Sequence, residues 1–174
     1  MTPGANRMSR RPLLFFASVL VACVGCDHAS KQAAVSLLAD SAGLELWGGM
    51  LRFQLASNPG AFLSLGADLP EALRSFLLLG LVPLLIAFAC FYVARSARAS
   101  RAQLAALAVL SGGGFGNWLD RVLHDGAVTD FVSVGFGPLR TGIFNLADLA
   151  VVAGVFWLLL STRHRETSPP SRAA

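Results

Sequence analysis

Charged residues are scarce in this chain, and several common catalytic motifs are missing from it. Only 14% of the 174 residues are charged, whereas a soluble domain of this length carries about 25%. The three histidines are scattered without a His-Glu-x-x-His sequence, which argues against a zinc protease. No serine lies in a Gly-x-Ser-x-Gly sequence, and the glycine-rich stretch at 112–116 is not followed by Lys-Ser/Thr. These absences argue against a serine hydrolase elbow and a nucleotide-binding P-loop.

Hydrophobic residues, in contrast, form 55% of the chain and are concentrated in four runs. A helix needs about 20 residues to cross about 30 Å of hydrocarbon at about 1.5 Å per residue. The runs therefore predict spans at about 12–36, 73–94, 102–123 and 143–162. The predicted fold class is an all-α polytopic membrane protein with four transmembrane helices.

Basic residues are clustered on one side of these spans. Nine of the 14 lie in the groups 7–11, 95–101 and 163–172. Cytoplasmic loops carry an excess of Lys and Arg, so this side is predicted to be cytoplasmic, with both termini inside. We expect one membrane domain at 12–162, a cytoplasmic tail at 1–11 and a disordered cytoplasmic tail at 163–174. Topology then accounts for the net charge of +4, and we expect no nucleic-acid partner.

The two segments on the other side are predicted to carry a small β element. Side chains alternate between apolar and polar around Arg52, and Gly48-Gly49 supplies a tight turn. We therefore expect an outer β element at about 42–68. The outer loop at 124–142 is expected to contain a short strand at 127–134.

Unexpected polar side chains occur at the predicted outer ends of the helices. Their spacings place them on shared faces, and they are Asp27 with Lys31, Asn117 with Asp120 and Arg121, and Asn145 with Asp148. Asp148 is predicted to lie about 8 Å below the start of the last span, too deep for a simple helix cap. A charged group at the centre of a membrane helix costs about 2.5–3.5 kcal/mol, so these residues indicate function.

Three smaller features allow two interpretations each. Lys31 is the single lysine beside 13 arginines, and it either meets a demand for a compact ammonium or snorkels to the interface. Cys23 and Cys26 either pack as small apolar residues or form a metal or disulfide pair. Residues 7–23 also resemble a lipoprotein signal peptide ending at Cys23. The three later spans argue against that last interpretation.

Five sequence blocks, in this order, resemble those of lipoprotein signal peptidase, also called signal peptidase II. The blocks are Asp27-His28-Ala29-Ser30-Lys31, Asn58-Pro59-Gly60-Ala61-Phe62, the stretch 113–121, Val128-Thr129-Asp130-Phe131, and Phe144-Asn145-Leu146-Ala147-Asp148. Many members of that family read Asn-x-Gly-Ala-Ala-Phe in the second block, so the aromatic residue here is shifted by one position.

The resemblance implies an intramembrane aspartic protease of the bacterial inner membrane whose active site faces the periplasm. Such an enzyme cleaves diacylglyceryl-modified prolipoproteins on the N-terminal side of the lipid-bearing cysteine. Its catalytic aspartates correspond to Asp130 and Asp148. The positions that shape the site or bind substrate correspond to Asp27, Lys31, Asn58, Gly60, Ala61, Asn117, Asp120, Arg121, Asn145 and Ala147. We expect no metal or cofactor, contact with membrane phospholipid, and a monomer.

Asn145 and Arg121 have further expected roles, and two other protein classes remain as alternatives to a protease. Asn145 is expected to orient Asp148, and Arg121 to meet an anionic lipid head group or a substrate carbonyl. Intramembrane charges also mark transporters, which usually place them near the midplane and show internal repeats. A non-catalytic scaffold would use Asp130 and Asp148 only as ion-pair partners for Arg121 or Lys31.

Overall fold

Four helices form a bundle, and a four-stranded sheet connects their ends on one side. The computed structural model describes residues 10–95 and 99–166. The helices are α1 at Arg10–Leu38, α2 at 71–95, α3 at Arg101–Leu123 and α4 at Leu146–Glu166. Predictions for the tails at 1–9 and 167–174 lie outside the described residues. Residues 163–166, expected in a disordered tail, continue α4 because no Pro or Gly interrupts it there.

Most side chains of α1 face outward, and one stripe of it is buried. The buried positions Phe16, Asp27, Lys31 and Ala34 follow the three- and four-residue spacing of one helix face. Within the described residues, α1 and α2 are long and apolar enough to cross a membrane, and α4 contains a shorter apolar stretch at Leu146–Ser161. The exposed sides of these helices are largely apolar.

The central helix α3 is the least exposed part of the bundle. It packs against α1, α2 and α4, and its buried positions are mostly Ala, Gly and polar residues. A Cβ at Gly112 would lie 2.7 Å from the Cβ of Cys23, and a Cβ at Gly154 of α4 would lie 2.6 Å from the backbone N of Leu110. The small residues therefore allow close helix packing. Cys23 packs in that contact, and the three cysteines are free thiols.

A wide helical turn interrupts α2. Its segments are an α-helix at Glu71–Ser75, a π-helix at Phe76–Leu81 and an α-helix at Val82–Arg95. Pro83 has no N–H and crowds the carbonyl four residues earlier, which is that of Leu79. This carbonyl accepts a hydrogen bond from Nε1 of Trp118 at 3.0 Å. The proline thus frees an acceptor that ties α2 to α3.

The sheet is larger than the β element that the sequence predicts. Strands β1 (Leu44–Leu46), β2 (Leu51–Asn58), β3 (Val128–Phe136) and β4 (Leu139–Arg140) form one antiparallel sheet in that order. The β1–β2 turn at Gly48-Gly49 is confirmed, with positive φ at both glycines. Residues 124–142 are not a separate loop with one strand, because β3 pairs with β2 and places Asp130 opposite Ala56.

We predict that Gly112→Ala destabilises the bundle, because the added methyl group would lie 2.7 Å from Cys23 Cβ. Overpacking of this kind costs about 1–3 kcal/mol. The matched control is Gly114→Ala in the same helix, whose methyl group would have its nearest neighbour at 3.8 Å. Denaturant unfolding in detergent measures both variants. Equal free energies of unfolding for the two would contradict the close contact.

Candidate active site

Two buried aspartates from separate elements meet through a pair of asparagines. Asp130 lies within β3 and Asp148 in the first turn of α4, and their exposed fractions are 1% and 5%. Asn145 Nδ2 donates to Asp130 Oδ1 at 2.6 Å and to Asn117 Oδ1 at 3.0 Å. Asn117 Nδ2 in turn donates to Asp148 Oδ1 at 2.8 Å. An unbroken hydrogen-bond chain therefore joins the two carboxylates.

Asp148 belongs to the cap of α4, contrary to the sequence interpretation. Its backbone N donates to Asn145 Oδ1 at 3.0 Å, and the backbone N of Asn145 donates to Asp148 Oδ2 at 3.2 Å. This reciprocal pair is a capping box. The predicted span start at 143 and the depth of about 8 Å are wrong, because Phe144 is held in an extended bridge to Val132 before the helix begins. The expected contact between Asn145 and Asp148 is present.

Asp130 is enclosed by amide donors. Asn58 Nδ2 donates a hydrogen bond to Asp130 Oδ2 at 2.8 Å, and Asn145 Nδ2 donates to Asp130 Oδ1. Burial raises the pKa of Asp130 to about 6; the Asn58 hydrogen bond opposes this rise and the charge of Asp148 adds to it. A carboxyl group with this pKa changes protonation state close to neutral pH, which suits acid–base chemistry.

Asn58 also shapes the loop that follows β2. Its Nδ2 donates a second hydrogen bond to the Ala61 carbonyl at 3.0 Å, and its Oδ1 accepts from the backbone N of Gly60 at 2.9 Å. A Cβ at Gly60 would lie 2.8 Å from the Leu65 carbonyl oxygen. The loop is thus folded onto Asn58, and a side chain at position 60 would push it open.

Lys31 lies at the centre of a buried ionic cluster. Its Nζ is 2.8 Å from Asp27 Oδ2 and 3.2 Å from Asp120 Oδ2, and it donates to Asn117 Oδ1 at 3.0 Å. Three partners use all three ammonium hydrogens. The side chain is 3% exposed, so the interpretation of Lys31 as a snorkelling interfacial residue is wrong.

The two carboxylates beside Lys31 hold the backbone next to each buried aspartate. Asp27 Oδ1 accepts from the backbone N of Ala147 at 2.9 Å, and Ala147 precedes Asp148. Asp120 Oδ2 accepts from the backbone N of Thr129 at 2.7 Å, and Thr129 precedes Asp130. One cation and two carboxylates thereby fix the positions from which the aspartates extend. We refer to Lys31, Asp27 and Asp120 as the ionic clamp.

Arg121 contacts protein carbonyls. Its Nη1 donates to the Asn117 carbonyl at 3.0 Å and its Nη2 to the Gly60 carbonyl at 2.5 Å. It therefore joins α3 to the loop after β2. Its Nε is buried without a hydrogen-bond partner among the described residues. The expected contact with a head group or substrate carbonyl stays a prediction.

An apolar groove of about 660 Å³ opens beside Asp148 between α2, α3 and α4. Along α3 its lining extends from Gln103 to Arg121, which is about 27 Å at 1.5 Å per residue. Apart from Asp148, Asn117 and Arg121, most of the lining is aliphatic or aromatic, including Leu78, Val82, Leu107 and Val151. The groove has the length of the hydrocarbon layer and the polar site at one end.

Sequence reasoning missed two contributors. The Thr129 N–H is a backbone group, and no side-chain pattern could reveal it. His124 Nδ1 lies 3.2 Å from Asp120 Oδ1, and its i,i+4 spacing from Asp120 was an available signal. In the described parts of the chain, no group of three His, Cys, Asp or Glu is arranged to hold a metal ion.

We predict that Lys31→Met destabilises the protein by about 3–5 kcal/mol, since it leaves Asp27 and Asp120 buried without their cation. The control is Arg52→Met, which breaks the surface pair with Glu45 at 39% and 55% exposure and costs about 1 kcal/mol or less. Denaturant unfolding in detergent gives both values. A Lys31→Met loss no larger than the Arg52→Met loss would show that the ionic clamp does not hold the site together.

Comparison with known proteins places the chain in a family. The protein-family model described as Signal peptidase (SPase) II matches residues 19–163 of this chain. The lipoprotein signal peptidase of Gloeobacter violaceus is 30% identical over 165 residues, covering 95% of this chain and 90% of that protein. The lipoprotein signal peptidase of Treponema pallidum is 32% identical over 166 residues, covering 91% and 88%.

Solved structures support the same fold. One described as a bacterial membrane enzyme aligns with a TM-score of 0.76 at 20% identity, covering 91% of this chain and 93% of that chain. A second, with the same description, gives a TM-score of 0.70 at 21% identity, covering 84% and 91%. The family match includes the whole stretch from the ionic clamp to the buried aspartates. The chain therefore belongs to the signal peptidase II family.

Proposed function

We propose that this lipoprotein signal peptidase removes signal peptides from diacylglyceryl-modified prolipoproteins by cleaving on the N-terminal side of the lipid-bearing cysteine. Asp130 and Asp148 are the catalytic pair. The observation that carries the proposal is their arrangement: the two buried carboxylates are joined through Asn145 and Asn117, and Asp148 lines an apolar groove. Family membership gives the peptidase activity, and this arrangement supports the proposal that Asp130 and Asp148 carry it out.

The reaction needs one proton shared by the pair. Two neighbouring carboxylates do not both ionise readily, so one proton stays on them over a wide pH range. The ionised member takes a proton from a water molecule, whose oxygen attacks the scissile carbonyl carbon. The protonated member donates to the carbonyl oxygen, and a proton is then delivered to the departing amine. The pair titrates as a unit, so either aspartate can begin as the base.

The neutral asparagines and the ionic clamp have different roles in this reaction. Asn58, Asn117 and Asn145 donate amide hydrogens to the catalytic carboxylates and orient them. The ionic clamp positions the backbone before each aspartate. Arg121 fixes the loop at Gly60 and Ala61, which borders the groove.

The substrate is expected to enter from the membrane. The groove supplies apolar contacts for acyl chains or for the hydrophobic stretch of the signal peptide, and Asp148 of the catalytic pair lines it. We place the enzyme in the bacterial inner membrane as four spans with both termini in the cytoplasm, because the arginine groups lie opposite the site residues. The active site then faces the periplasm. One domain at 12–162 acts as a monomer in contact with phospholipid, since a single chain supplies both aspartates.

We predict that Asp130→Asn and Asp148→Asn each reduce cleavage by about 10²–10⁴-fold, the contribution of general acid–base catalysis. Purified variants are incubated with a diacylglyceryl prolipoprotein, and product masses are followed by mass spectrometry. Asp125→Asn is the matched control, because Asp125 is exposed and its φ of 50° is one that asparagine tolerates. Native cleavage by either Asp130→Asn or Asp148→Asn would favour a scaffold role for the pair.

We predict that Asn58→Ala shifts the alkaline limb of the kcat/KM profile to higher pH. Activity falls on that limb as the shared proton is lost. The Asn58 hydrogen bond lowers the pKa of Asp130 by stabilising its ionised form, so removing it makes the proton harder to lose. A hydrogen bond to a charged group contributes about 1.5–3 kcal/mol. This energy corresponds to a shift of the alkaline limb by about one to two pH units.

The pH profile is compared with that of Ser57→Ala, a neighbouring exposed position. The limb of this control is expected to stay at its native position. If the alkaline limb of Asn58→Ala lies at the native pH or at a lower pH, the assignment of Asp130 to the proton-sharing pair is contradicted, whatever the loss in kcat.

A further inference from the structure

One hydroxyl group lies midway along the apolar groove. Ser111 of α3 lines the groove and is 4% exposed. The other polar side chains among the described residues of the lining lie near the ends of the groove, and they are Asp148, Asn117 and Arg121 at one end and Gln103 and Tyr92 at the other. Ser111 is therefore a polar group in an otherwise apolar stretch of the wall.

The Ser111 hydroxyl is not used within the bundle. A serine in a helix can donate to the backbone carbonyl one turn earlier. Four serines of the bundle do so, and they are Ser18, Ser30, Ser36 and Ser161. Ser111 makes no such bond in the part of the chain that the structure describes. A buried hydroxyl without a partner is destabilising, so a partner that enters with a ligand accounts for its presence in the groove.

The distance from Ser111 to the proposed catalytic pair corresponds to a few peptide residues. Ser111 lies six residues before Asn117, which is about 9 Å along the helix axis, and Asn117 donates to Asp148. An extended chain rises about 3.3 Å per residue, so about three residues reach from the pair to Ser111. Between Ser111 and Asn117 the lining residue of α3 is Gly114, which leaves room for a ligand backbone close to the helix.

A signal peptide has carbonyl groups that need a donor at this depth. A hydrophobic segment is helical in hydrocarbon because its backbone groups must be satisfied within the segment. The carbonyls of its last turn have no partner inside the helix. The bond to be cleaved lies beyond that turn, in extended chain within reach of the aspartates, so the last carbonyls of the helix lie near Ser111.

We infer that the Ser111 hydroxyl donates a hydrogen bond to a main-chain carbonyl of the signal peptide, about three residues N-terminal to the scissile bond. The inference rests on the proposed function and adds a binding residue to it. Every residue carries a main-chain carbonyl, so this contact sets the depth of the signal peptide in the groove without selecting a side chain. Ser111 thereby marks the point at which the substrate changes from helix to extended chain.

Cleavage kinetics of Ser111→Ala on a synthetic diacylglyceryl lipopeptide test the inference. We expect KM to rise about threefold to tenfold, the effect of one hydrogen bond, and kcat to stay within about twofold of the native value, because a contact remote from the reacting atoms stabilises the ground and transition states alike. Ser36→Ala is the matched control, since it removes a hydroxyl from an exposed position of α1 outside the groove.

The stability of the substrate-free protein separates binding from packing. Ser111→Ala removes an unpaired hydroxyl, so its free energy of unfolding is expected to equal or exceed the native value. A KM equal to that of the native enzyme overturns the inference, and so does a rise in KM accompanied by a loss of stability. Native protein that does not cleave the lipopeptide contradicts the proposed function itself, whereas native cleavage with an unchanged KM in Ser111→Ala contradicts only the role of Ser111.

A second substrate distinguishes the peptide carbonyl from the ester carbonyls of the lipid. A dialkylglyceryl lipopeptide lacks both ester carbonyls and keeps the same peptide. We expect Ser111→Ala to raise KM on this substrate by the same factor as on the diacylglyceryl form. If native and Ser111→Ala enzymes have equal KM on the dialkylglyceryl substrate, the bond belongs to an ester of the lipid and the inference is overturned.

Discussion

The rest of the site depends on the buried ion pairs of Lys31. An ammonium group at 3% exposure would be prohibitively costly without its two carboxylates, and they would be equally costly without it. Asp27 lies on the same helix as Lys31, whereas Asp120 lies on α3 and each carboxylate reaches the backbone of a third element. The desolvation penalty thus makes the positions of α1, α3, α4 and β3 mutually dependent. A small separation of any one of them would leave a charge unpaired.

The ionic clamp and the proposed catalytic pair receive different kinds of hydrogen-bond donor. Asp27 and Asp120 are neutralised by a cation, while Asp130 and Asp148 receive their hydrogen bonds mainly from neutral amides. A cation in direct contact with both members of the proposed catalytic pair would favour the ionised form of each. Amide donors orient the carboxylates and leave room for a shared proton. Asn117 links the two sets, since its oxygen accepts from Lys31 and its nitrogen donates to Asp148.

The sequence predicted the elements well and the contacts between them less well. The helices followed from hydrophobic run length, and the pairing of Asp27 with Lys31 followed from i,i+4 spacing. The pairing of β2 with β3 did not, since 69 residues lie between Asn58 at the end of β2 and Val128 at the start of β3, and alternation carries no information about partners. The cap at Asn145 was missed because an apolar run and a helix need not begin together, and the sheet bridge at Phe144 determines where this helix starts. Family resemblance named the two aspartates, while the asparagine chain that joins them is visible only in three dimensions.

Gly116 shows that packing and charge are one constraint in this protein. A Cβ at this position would lie 2.7 Å from Asp27 Oδ2, the oxygen that Lys31 binds. A methyl group there would displace a carboxylate rather than a hydrocarbon side chain. The absence of a side chain at position 116 is therefore an electrostatic requirement as much as a steric one. A substitution that looks like a minor change in helix packing would act as a defect in charge pairing, and it would reach Asp148 of the proposed catalytic pair through the backbone of Ala147.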